Sequence, residues 1–64
     1  MRFIIQRQSD NKYLKSIESI VELEISEWTD EISEAIELPG GRCDAIIFRF
    51  RYLNYQDSLI KIQK

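Results

Sequence analysis

Apolar and polar residues change period along this chain, and the changes mark its elements. Arg2-Phe3-Ile4-Ile5-Gln6-Arg7 is a short β-branched run that stops at Ser9-Asp10-Asn11-Lys12, a cluster of turn formers. Tyr13-Leu14-Lys15 follows at hairpin distance, so the pattern predicts a β-hairpin with strands near 2–8 and 12–17. Over 20–28, Val21, Leu23 and Ile25 alternate with Glu22, Glu24 and Ser26, the period of a half-buried strand. Ile17, Val21, Ile25 and Trp28 also fit helical spacing, and the β-branched content favours the strand.

Thr29 reads as a helix N-cap, with Asp30 and Glu31 in the first turn, where the helix dipole favours negative charge. Ile32, Ala35 and Ile36 then make a short apolar stripe, and Pro39-Gly40-Gly41 ends it, which predicts one or two helical turns near 30–37. Downstream, Cys43, Ile46, Ile47, Phe50 and Leu53 fall on one stripe of helical spacing. Asn54 then takes the left-handed position after the helix, with Tyr55 folding back on the last turn. Leu59-Ile60-Lys61-Ile62-Gln63 closes the chain as a strand.

The expected fold is α+β in a single domain of residues 1–64. It is a small antiparallel sheet of three to four strands, with one short helical segment and one longer helix packed on one face. The alternative makes residues 44–63 a second β-hairpin, because Phe48-Arg49-Phe50-Arg51-Tyr52 also alternates. The helical reading has a consequence for the surface. Phe48 and Tyr52 lie on the side opposite the apolar stripe, beside Arg49.

Composition narrows the function. The chain has 64 residues, 44% of them hydrophobic, too apolar and too aromatic for a disordered tail. A domain of this size buries only about 60% of its unfolded surface, which leaves little room for an enclosing cleft. No histidine is present, which removes the commonest general base near neutral pH, so an enzyme is not expected. One cysteine makes no internal disulfide, and without histidine there is no Cys/His zinc site. No run approaches the ~20 apolar residues of a membrane helix, and the apolar start is too short for a signal peptide. The expectation is a cytoplasmic, cofactor-free protein without membrane contact.

The net charge of −2 hides a segregation. Residues 1–15 carry Arg2, Arg7, Lys12 and Lys15 against Asp10, a net +3. Residues 16–41 carry Glu18, Glu22, Glu24, Glu27, Asp30, Glu31, Glu34 and Glu37 with no cation, a net −8. Residues 42–64 carry Arg42, Arg49, Arg51, Lys61 and Lys64 against Asp44 and Asp57, again +3. Such a block is either a solvated face partly paired with the basic flanks or a surface aimed at a basic partner, because charge of one sign steers association.

Candidate chemistry follows from these patterns. The acidic candidate surface comprises Glu24, Glu27, Trp28, Asp30, Glu31 and Glu34. Its carboxylates match neither a calcium-loop nor a nuclease spacing, so no metal is assigned to them. Trp28, the largest side chain, reads as a core or hairpin anchor with its indole N–H satisfied at the edge; exposed, it would be a binding hot spot. Phe48, Arg49, Arg51 and Tyr52 form an alternative patch suited to single-stranded nucleic acid, since bases stack on aromatics while Arg holds phosphate. A sequence pI of ≈ 5.0 opposes that role. Cys43 reads as a buried small hydrophobe.

The order of features resembles a class of short phage and prophage proteins. These open on a strand, a turn and a Lys-Tyr-Leu strand, then carry Trp-Thr-Asp with Glu-Ala shortly after, a helix and a closing strand. The matching residues are Phe3-Ile4-Ile5, Lys12-Tyr13-Leu14-Lys15, Trp28-Thr29-Asp30-Glu31-Ile32, Glu34-Ala35, and Ala45 leading into Leu53-Asn54-Tyr55. The match spans most of the chain and its motifs are structural, while Pro39-Gly40-Gly41 departs from the pattern. The resemblance implies an α+β protein that binds and alters a host factor, including defence nucleases; no active-site residue carries over. Three functions are thus expected in order: a module that binds a host protein through its acidic segment, a single-stranded nucleic-acid binder, and a homo-oligomer, such as a homodimer, that hides Phe48 and Tyr52 or pairs an exposed strand edge with its twin.

Overall fold

A computed structural model of the chain describes residues 1–17, 26–52 and 58–64. Among the described residues it is α+β: an antiparallel five-stranded sheet with one helix on one face and one 3₁₀ turn. Strands β1 (Arg2–Arg7) and β2 (Lys12–Ser16) form the expected hairpin. Its turn is set by side-chain chemistry. Asn11 takes φ 58, which a short polar residue tolerates better than others. Asp10 Oδ1 accepts the Lys12 N–H at 3.2 Å, and the Arg7 guanidinium forks onto the same carboxylate at 3.0 and 2.6 Å.

β1 is the hub. β5 (Leu59–Gln63) pairs with it from Phe3↔Gln63 to Arg7↔Leu59. The Gln8 N–H to Ser58 O and Lys64 N–H to Arg2 O bonds lengthen that ladder at both ends. On its other edge β1 holds two partners in tandem. β2 pairs at Gln6↔Tyr13 and Arg7↔Lys12, and β4 (Leu38–Pro39) pairs at Arg2↔Pro39 and Phe3↔Leu38. β2 and β1 therefore splay like a fork, and the 36–39 segment fills the gap, with the Ile36 N–H donating to Leu14 O at 2.9 Å. β3 (Glu27–Thr29) adds to the far side of β2, with a bulge between Leu14 and Ser16.

The fork explains the largest departure from expectation. The helix expected near 30–37 is a 3₁₀ turn of three residues, Ile32–Glu34, and Ala35 is already extended at φ −67, ψ 137. Continuing the helix would leave the Leu14 carbonyl and one edge of β1 at Arg2 and Phe3 without backbone partners, and ladder pairing overrides the short apolar stripe. Pro39-Gly40-Gly41 is corrected likewise: Pro39 closes β4 and Gly40-Gly41 start the long helix rather than ending one. Helix α1 spans Gly40–Tyr52, which also rules out a second hairpin over 44–63. No described glycine has positive φ, so Gly40 serves for closeness instead. A Cβ there would come within 3.1 Å of Phe3 Cε2.

The expected stripe on α1 is the core contact. Cys43, Ile46 and Phe50 are buried against Ile5, Leu14 and Leu59, with Phe3, Ile17, Trp28, Ile36, Leu38 and Ile47 packed around them. Burying a side chain of this class removes about 1.5–3 kcal/mol of unfavourable hydration. Burial also pushes the Cys43 thiol above its ordinary pKa. Ile4, which alternates to the other face with its partner Ile62, is buried as well, so both faces of β1 are shielded. The strand-or-helix question over 20–28 lies mostly outside the described residues, where only Glu27–Thr29 is seen, as strand. The expected helix end at Leu53, Asn54 and Tyr55 also lies outside them.

Candidate interaction surfaces

Two surfaces carry the chemistry singled out in the sequence. The first is an acidic rim formed by β3 and the 3₁₀ turn. Glu27, Asp30, Glu31 and Glu34 are exposed on it, and Trp28 is half-buried. Thr29 organises the rim. Its hydroxyl oxygen accepts the Glu31 N–H at 3.1 Å and its O–H donates to Glu34 Oε1 at 2.8 Å. This is a local cap of the kind expected from Thr29, built on a tighter turn. Glu24 lies outside the described residues.

Trp28 behaves as an anchor. It packs on the core, its indole N–H donates to Ser26 Oγ at 3.2 Å, and the Arg7 guanidinium lies 4.3 Å from its ring centroid. Arg7 thus ties the rim to the β1–β2 turn through Trp28 and Asp10. Its fork holds the Asp10 carboxyl down at about 2.

The rim's carboxylates differ from the others in one respect. Asp10 pairs with Arg7, Asp44 with Lys61 at 2.8 Å, and Glu37 with Lys64 at 3.4 Å. Glu27, Asp30 and Glu31 have no cation within 4 Å among the described residues, which include every Lys and Arg of the chain. Among those residues no three Asp, Glu or Cys groups converge in a way that could hold a metal ion.

The second surface is the outward side of α1. Phe48 and Tyr52, one turn apart, are each 69% exposed, and the Arg49 guanidinium lies 5.3 Å from the Tyr52 ring centroid. Arg51 is exposed, and Arg49 is half-buried with its Nε buried and unpartnered. Phe48, Arg49 and Tyr52 of the expected patch therefore come together, while Arg51, about 200° of helix from Arg49, lies on the opposite flank. Arg42, seven residues before Arg49 and hence two turns away on the same flank, extends the patch; that heptad spacing was the available signal for it. Helix α1 is neither long nor apolar enough to cross a membrane, nor is any other described helix.

Comparison with protein-family models, with curated proteins and with solved structures finds no match to the chain.

Proposed function

We propose that the chain is a non-enzymatic protein-binding module that engages a basic protein surface through the acidic rim. The resemblance to phage proteins makes the partner a host factor, such as a defence or nucleic-acid-binding protein, and the host cytoplasm the place of action. One observation supports this reading above the others: Glu27, Asp30 and Glu31 face water without a cation of their own molecule. Carboxylates left unpaired keep their full field, and a field of one sign speeds encounter with a surface of the other sign. Thr29 supplies preorganisation by holding the backbone at Glu31 and the carboxylate of Glu34.

The test is capture of basic proteins from nuclease-treated host lysate, compared between wild type and the triple variant Glu27→Lys, Glu31→Lys, Glu34→Lys. Binding that weakens with salt and is lost in the variant is the expected result; binding unchanged in the variant defeats the reading. A second reading, single-stranded nucleic acid on Phe48, Arg49, Arg51 and Tyr52, draws support from the exposure of both rings. The net charge of −2 and the acidic rim oppose it, since the −8 of residues 16–41 repels phosphate.

A further inference from the structure

The two surfaces have complementary deficits. On α1, Arg42 and Arg49 on one flank and Arg51 on the other have no carboxylate within 4 Å among the described residues, and the aromatic rings of Phe48 and Tyr52 between them face water. On the rim, Glu27, Asp30 and Glu31 lack a cation, and beside them Ile32 is 50% exposed. A positive aromatic face and a negative face with an apolar centre each lack what the other carries. They do not meet within one molecule, because α1 covers β1, β4 and β5 while the rim lies beyond β2 at the opposite sheet edge. They can meet only between molecules.

We propose that the chain associates with itself head to tail, the outer face of α1 of one copy seated on the acidic rim of the next. Ile32 packs between Phe48 and Tyr52, while Arg42, Arg49 and Arg51 meet Glu27, Asp30 and Glu31. Aromatic and Arg side chains are the residues that most often dominate interfaces, and here they stand on a rigid helix. The contact is heterologous: each copy keeps one donor face and one acceptor face, so association runs to rings or chains rather than stopping at a two-fold dimer. The proposal shares its carboxylates with the host-partner reading and adds a second role for them, since assembly covers the rim.

Sedimentation velocity at rising protein concentration tests it, using exposed positions that leave the core intact. Wild type is expected to form species larger than a dimer, and to lose them as salt rises. The helix-face variant Phe48→Glu, Arg51→Glu and the rim variant Glu27→Lys, Glu31→Lys should each lose self-association completely with an unchanged circular dichroism spectrum. Mixed one to one, they should recover a heterodimer that grows no further, because each supplies the face the other has lost. A strictly monomeric wild type overturns the proposal and leaves the lysate capture experiment untouched. Self-association that survives the rim variant means that α1 pairs with itself, and a mixture that stays monomeric while wild type assembles means that the two faces do not meet; either result overturns the proposal. Monomeric protein that binds labelled oligothymidine and loses it on Phe48→Glu assigns the face to nucleic acid instead. If assembly follows this pattern but the triple Glu→Lys variant still captures its host protein, only the host-partner reading falls.

Discussion

The sheet-and-helix body and the two outward surfaces treat charge in opposite ways. In the body three ion pairs form, Arg7 with Asp10 across a turn, Lys61 with Asp44 between β5 and α1, and Lys64 with Glu37 beside the fork, while Lys12 and Lys15 on β2 have no carboxylate within 4 Å among the described residues. On the rim and along α1, three carboxylates and three guanidinium groups have no ion-pair partner among the described residues. Reach accounts for the difference. Pairing follows backbone neighbours, and the strands that bring Lys61 and Lys64 close to acids are the ones that bury the core. Charge left over at the edges is thus a product of topology, and the proposed interactions draw on it.

The sharpest way to break the contrast is to compare truncations on the two sides of α1 and in the sheet. Ile5→Ala, in the core, is expected to cost about 2–5 kcal/mol in denaturant unfolding, a large share of the stability of so small a domain. Phe48→Ala should stay within about 0.5 kcal/mol of wild type. Equal effects would mean that Phe48 is packed and the outer face is not a surface at all.

Asn11→Ala comes next. Forcing an alanine into φ 58 is expected to cost about 1–2 kcal/mol, whereas Asn11→Gly should be close to neutral, read by the same unfolding curves. Thr29→Ala removes both rim bonds and is expected to cost about 1 kcal/mol. Its amide exchange should quicken around Glu31 and leave β1 and β5 protected, because the rim is held locally.

Lys61→Gln tests the matched charges. It should lower stability by no more than about 1 kcal/mol, and by less in high salt, because the pair is partly exposed. The Lys61 ammonium also lies 5.0 Å from the Phe3 ring centroid, a contact that salt screens less. The smallest effect concerns Asp10. Its folded pKa of about 2 lies below the unfolded value of 3.8, so the stabilisation is present above pH 3.8 and fades as pH falls towards 2. Acid titration of Asp10→Asn should lack that component, and a difference that instead appears above neutral pH would remove Arg7 as its cause.

Much of the body was legible because its determinants are local. The turn chemistry of Ser9 to Lys12 announced the first hairpin, and the Cys43, Ile46, Phe50 spacing announced which side of α1 is core. The same spacing placed Phe48 and Tyr52 on the outside. What failed was nonlocal. The conformation of 35–39 is dictated by Leu14, Arg2 and Phe3, and neither the stripe of Ile32, Ala35 and Ile36 nor the proline-glycine break carries that information. A break ends one element and begins another with the same residues. Here the close approach of Gly40 to Phe3 decided for a beginning. In the rim, the acid count was plain in the sequence, but which acids stay unpaired depended on where β5 delivers its lysines.

The position of β1 in the middle of the sheet has a consequence for how the molecule comes into being. Its hairpin partner follows within a few residues, yet its other edge waits for a strand more than fifty positions later. Closing that loop carries an entropic toll that local contacts do not offset, so the last step of folding is slow relative to the first. During synthesis β1 stands half-dressed until β5 emerges. In that interval the exposed edge of Phe3 to Arg7 is the site most vulnerable to pairing with the wrong neighbour.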